Sequence, residues 1–198
     1  MASPTRHASK PAFFPPGVTD FFRRRTIEVL GLALAVLGLA VIVALASYHA
    51  VDPSFNTAVP GDAHNLLGRA GAWTADFMMQ SLGIAAWFMG AVIMAWGWRI
   101  GTHRSMGRWW LRITALPATA LLIALAFAGV GAPADWPLKA GLGGFSGDMM
   151  MAALIETASP IVTIGPGWFG AVAGFLGLIA FGTALGLERE EWRRIVWG

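Results

Sequence analysis

The sequence predicts an all-α, polytopic membrane fold with four transmembrane helices, and three observations carry that prediction. The first is Val29 to Ala46, 18 consecutive Val, Leu, Ile, Ala and Gly residues with no charge or hydrogen-bonding side chain. At about 1.5 Å per helical residue, such a run crosses a hydrocarbon core about 30 Å thick with little tilt. Backbone amides in lipid must pair within their own segment, so the run is helical. The second is composition: 56% hydrophobic and only 13% charged residues in a chain of 198. A soluble domain of this size cannot bury that much apolar surface. The third is the distribution of charge. With both termini inside, every Lys and Arg except Arg69 and Lys139 lies on the inner side, while Asp52, Asp62, Asp76, Asp135, Asp148 and Glu156 lie outside. This asymmetry is a topology signal. It also explains a pI near 10.2 without invoking a nucleic-acid footprint. The chain has no cysteine, so it carries no disulfide framework and no thiol chemistry.

Residues 1–22, rich in proline and small residues, read as a mobile cytoplasmic tail. Arg23, Arg24 and Arg25 retain the start of the first span, 26–47, on the inner side. Ala44-Leu45-Ala46 mimics a signal-peptidase site, but 18 apolar residues exceed the roughly 7 to 15 of a signal segment. An uncleaved anchor is expected. Residues 47–72 form a polar outer loop punctuated by Asp52-Pro53-Ser54 and Pro60-Gly61-Asp62. His49 and His64 beside Asp52 and Asp62 match no compact metal-ligand spacing.

The second span is expected over 74–98. Gly83, Gly90 and Gly97 recur every seven residues with Ala86 on the same face, a strip that lets another helix backbone come close. Arg99, His103, Arg104, Arg108 and Arg112 mark an inner turn before the third span, 111–130, which has Pro117 near its start. The glycines at 141, 143, 144 and 147 then make a turn, with Asp148 as the expected cap of a helix from Met149 to Ala158. That helix is too short to cross and is interrupted by Glu156, Ser159 and Pro160, so it reads as interfacial or re-entrant on the outer side. In the fourth span, 168–187, Gly167, Gly170, Gly174 and Gly177 fall within about 80° of one another and make the expected main packing face. Gly182 and Gly186 form a further small-residue pair. Residues 188–198 read as the start of a cytoplasmic linker, stopping mid-stretch as though cut.

No constellation carries chemistry. There is no catalytic triad, metal cluster or intramembrane carboxylate pair, and no Lys-Ser or Lys-Thr follows the glycines as a phosphate loop requires. Glu28, one turn into the first helix, lies within reach of the arginines. Catalytic, cofactor-binding and metal residues are all expected to be absent.

The order of small motifs, however, resembles the N-terminal four-transmembrane region of FtsK/SpoIIIE-type DNA translocases. The resemblance is carried by Tyr48 and Asp52-Pro53-Ser54 after the first span, then Asn65, Gly68 and Gly71-Ala72 entering the second. Asp76, Gly83-Ile84-Ala85-Ala86, Trp96-Gly97-Trp98-Arg99, the segment Gly141 to Asp148 and the glycine-lined last span complete it, over about residues 23–187. It implies a multi-pass anchor in a bacterial inner membrane at the division septum, forming a homo-oligomer, with a hexamer implied by the family. Its implied partners are membrane lipid and division proteins. In that family the anchor precedes a cytoplasmic motor that uses ATP and Mg to pump double-stranded DNA. Linker, motor and DNA-reading domain are absent here, so neither ATP nor DNA binding is assigned to any residue of this chain. The competing class is a stand-alone transporter subunit or assembly factor. A transporter would place polar residues along a path at mid-membrane, and these spans are nearly bare of them.

Overall fold

A computed structural model describes residues 17–55, 60–161 and 165–187, together with 191, 193 and 197. These residues are all-helical, with no strand. Six helices follow in order: α1 (Val18–Ala46), α2 (Gly68–Leu82), α3 (Ala85–Gly101), α4 (Trp109–Ala128), α5 (Gly144–Ala158) and α6 (Pro166–Leu185). Three of them, α1, α4 and α6, are long and apolar enough to cross a membrane, and a fourth span arises if the bent pair α2–α3 is taken as one.

Two antiparallel pairs make the bundle. α1 lies along α3, with Gly31 against Gly97 and Gly101, Gly38 against Met94, and Val41 and Ile42 against Gly90. α4 lies along α6, with Gly129 against Gly170 and Ile123 against Gly177. Lipid removes the hydrophobic drive between helices, so van der Waals contact holds them, and glycine maximises it by letting backbones touch. Ala85, Ile123 and Ala124 join the pairs in a buried cluster with Leu82, Phe88 and Phe127 packed on it. The rings of Phe88 and Phe181 meet edge to face at 5.0 Å.

The expected second span is not one helix. α2 and α3 meet at 119°, because Gly83 has φ +58°, which strongly favours glycine. A Cβ there would also lie 2.0 Å from the Leu142 carbonyl oxygen. The freed Ile84 amide donates to that same carbonyl at 2.9 Å. Gly83 therefore does not share a helix face with Gly90 and Gly97.

Other boundaries differ too. α1 begins at Val18, so residues 18–22 are helical rather than tail, whereas residues 1–16 lie outside the described residues, as do most of 188–198. Pro117 lies in the interior of α4, which starts earlier, at Trp109. α5 starts at Gly144, and Asp148 does not cap it: its carboxylate accepts the Gly141 amide at 2.7 Å. Gly186 is no helix-packing position, because it ends α6 with φ +71° and the Arg112 guanidinium occupies the space its side chain would need.

Candidate functional site

The polar residues gather at the two ends of the bundle. At one end lie the loops around 47–67 and 131–148; at the other, the arginines.

The loop end is built on the last turn of α1, whose final carbonyls have no intrahelical partner. The Asn65 side-chain amide donates to the carbonyls of Ala44 and Ser47 at 2.8 and 3.1 Å, and the Ser47 hydroxyl accepts the Leu66 amide. Asn65 is held in turn by Asp52, which accepts the Asn65 amide at 3.0 Å, the His64 amide at 2.8 Å and the His64 ring Nδ1 at 2.9 Å. Burial alone would push the Asp52 carboxyl up, but these donors prevail and hold it below its ordinary value. Pro53 and Ser54 follow in the same bend, partly buried. Gly68 takes φ +62° to start α2, and Gly71 is bare because the Asn65 side chain lies 2.1 Å from where its Cβ would be.

The Tyr48 hydroxyl crosses to α2 and donates to Asp76 Oδ1 at 3.0 Å, and Gln80 Nε2 reaches both Asp76 oxygens at 2.9 Å. Burial and the neighbouring Asp76 carboxylate push the Tyr48 phenol far up, so it remains a proton donor. Ser146 donates to the Ser81 carbonyl, and the Trp136 indole to Ala140. The His49 and His64 rings lie 5.6 Å apart, and Asp62 is exposed.

At the arginine end, Arg99 is buried, pairing with Glu191 at 2.9 Å and donating to the Ser105 carbonyl at 3.1 Å. Arg104 shares Glu191 at 3.0 Å. Buried Arg112 donates to the Gly186 carbonyl, and the Trp96 indole to the Ala184 carbonyl at 2.6 Å. Glu28 joins Arg25 to His103, whose ring lies 3.1 Å away, with Arg24 at 3.6 Å. Arg23 and Arg108 are exposed. Arginines of two segments far apart in sequence, 24–25 and 99–112, thus meet Glu28, Glu191 and the end of α6 at one end of the bundle.

The glycines expected to pack helices fall into two groups. Gly90, Gly97, Gly170 and Gly177 are buried at the helix seams, whereas the nearest atom to a Cβ at Gly174 would be 3.5 Å away and at Gly167 4.0 Å. Composition did not single out Gly31 and Gly38, which are among the tightest approaches of all.

This arrangement is that of a recognisable membrane region. The family model described as the 4TM region of DNA translocase FtsK/SpoIIIE matches residues 23–194. The chain belongs to this family. Among its relatives, the DNA translocase FtsK of Azospirillum brasilense is 38% identical over 187 residues, which are 92% of this chain and 29% of the relative. That of Agrobacterium fabrum is 37% identical over 200 residues, 96% of this chain and 22% of the relative. That of Caulobacter vibrioides is 35% identical over 175 residues, 84% and 21%. The chain therefore spans less than a third of the length of these translocases. No solved structure matches it. Within this FtsK/SpoIIIE region, Asp52, Asn65 and Gly71 form a group that caps α1, and Tyr48 and Asp76 a hydrogen-bonded pair that ties its end to α2. The family resemblance pointed to these residues but not to their contacts.

Proposed function

We propose that this chain is the membrane anchor of an FtsK-type DNA translocase in a bacterial inner membrane. In this reading it homo-oligomerises and holds a cytoplasmic, ATP-driven motor for double-stranded DNA at the division septum. Both termini face the cytoplasm, and loops 47–72 and 131–167 face the other side. ATP and Mg belong to the motor, and no residue of this chain is assigned to them. The observation that carries the reading is the match to the four-transmembrane region of a named translocase family over 23–194. The convergence of the arginines at one end supports the orientation, since basic residues are retained inside. In this scheme Arg99 matters most, because its pairing with Glu191 ties the chain leaving α6 to the end of α3.

Three measurements test the reading. Reporter fusions at Pro60 and Met106 should report outer and cytoplasmic locations respectively; cytoplasmic activity at Pro60 overturns the topology. A fluorescent fusion of the chain should gather at mid-cell, and an even distribution around the membrane removes the septal role. Purified alone, residues 1–198 should neither turn over ATP nor prefer any duplex DNA sequence, because no phosphate-loop motif lies among them.

A further inference from the structure

A cavity of about 800 Å³ opens at the loop end between α2 and the segment 137–148. Tyr48, Asp76 and Gln80 line it from one side, and Lys139, Phe145 and Asp148 from the other. Asp76 is only 4% exposed, yet among the described residues its carboxylate meets only neutral donors, the Tyr48 hydroxyl and the Gln80 amide. These hydrogen bonds place no cation beside it, and a buried carboxylate is best held by hydrogen bonds together with a paired cation. Lys139, the cation of the cavity, is exposed and makes no ion pair among the described residues. The cavity thus offers a buried carboxylate inside and, on its opposite lining, the exposed Lys139 ammonium and the Asp148 carboxylate, which accepts the Gly141 amide. Phe77 and Phe145, 62% and 66% exposed, also line it, so it is continuous with apolar surface.

We propose that this cavity binds the headgroup of a phospholipid that carries a primary ammonium beside a phosphodiester. The ammonium donates to Asp76, the phosphodiester meets Lys139, and the acyl chains lie along the apolar surface around Phe77 and Phe145. A choline headgroup has no N–H to donate, and a glycerol headgroup brings no positive charge. A basic peptide side chain would suit Asp76 but would bring no phosphate to meet Lys139, so the lipid is the better occupant. The inference rests on the chain being a membrane protein, but not on which end faces which compartment.

The test is native mass spectrometry of the full chain in mild detergent, titrated with phosphatidylethanolamine, phosphatidylcholine and phosphatidylglycerol. The ethanolamine lipid should be retained about tenfold more strongly than either of the others, a preference of about 1.4 kcal/mol. Asp76→Asn should abolish the preference, and Lys139→Gln should weaken retention of all three lipids several-fold. Asp76→Asn also perturbs the Tyr48 contact, so the exposed Lys139→Gln variant keeps the test valid if the first fails to fold. Competition by soluble glycerophosphoethanolamine would show that the headgroup alone is recognised, and its failure beside intact lipid preference would show that the acyl chains are needed too. The proposal is overturned by equal retention of the three lipids, by a preference that survives Asp76→Asn, or by retention that Lys139→Gln leaves unchanged. Displacement of the lipid by a lysine-rich peptide at lower concentration than by glycerophosphoethanolamine would overturn it in favour of a peptide site.

Discussion

Between α1 and α3, a Cβ added at Gly31, Gly38 or Gly97 would lie 2.2, 2.3 or 2.1 Å from a backbone atom of the facing helix, whereas between α4 and α6 the nearest atoms to Gly170 and Gly177 are at 2.9 and 2.7 Å. At Gly177 that atom belongs to the Ile123 side chain, which can turn away. The pair α4–α6 includes the longer glycine strip, on α6, yet it is the looser seam. What tightens a seam is how closely its glycines meet the facing backbone, rather than the number of glycines on one helix. Gly174 and Gly167 show the point: they sit on the strip, but a Cβ at either would meet nothing nearer than 3.5 Å.

The comparison can be broken most directly at Gly97. Gly97→Leu should separate α1 from α3 and cost at least the upper part of the roughly 1–3 kcal/mol typical of overpacking. Thermal unfolding in detergent should show the chain aggregating or melting far below the parent; an unchanged midpoint would mean the seam is not closed. Gly170→Leu comes next, within that same range of about 1–3 kcal/mol, because the Gly129 backbone opposite has slightly more room. Leu176→Ala and Ile179→Ala, at positions 46% and 52% exposed on the same helix, should leave the midpoint almost in place. If these two changes match Gly170→Leu, the α6 strip is composition and not contact.

A third test lies off both seams. The Asp52 carboxyl is held below its ordinary value, so its stabilising contribution is fully present above the usual carboxylate range near 3.9 and is lost as pH falls through the folded-state value. Proteolysis within loop 47–67 should therefore accelerate below about pH 4, while the two seams stay protected. Asp52→Asn should make cleavage fast at neutral pH and remove its pH dependence; a dependence that persists would assign it to another group. The smallest effect is expected at Gly174→Ala. A methyl there meets ordinary van der Waals contact at 3.5 Å, and alanine is the better helix former by about 1 kcal/mol. The variant should melt at or slightly above the parent, and a marked loss would show α6 pressed against something at that position.

Much of this was legible in the sequence. Apolar runs of membrane length and the arginine clusters located α1, α4 and α6 to within a few residues, apart from the early start of α1. The short helix before the last span was legible as well. The break at Gly83 was not, because the surrounding residues remain apolar and a glycine every seven residues reads as one continuous face. Only the Leu142 carbonyl, brought from the other half of the chain, makes the bend necessary. Gly31 and Gly38 were hidden for a related reason: in a run where every side chain is apolar, no face stands out. Their signal was present in the spacing, since 31 and 38 repeat the interval of 90 and 97 on the antiparallel partner. The motif residues were found one by one, but their joint role depends on Asn65 reaching back to the end of α1, which no local pattern encodes.

The bend at Gly83 also bears on how the chain is made. The Ile84 amide and the Ser81 carbonyl, both opened by the break, find their partners in Leu142 and Ser146, the latter 65 residues further along. At a synthesis rate of roughly 5–20 residues per second, the first half of the protein waits several seconds in the membrane with its elbow unlatched. Biogenesis therefore passes through a stage in which α2 is held by its contacts with the end of α1 alone, and the arrival of the segment 141–146 turns that joint into a fixed corner.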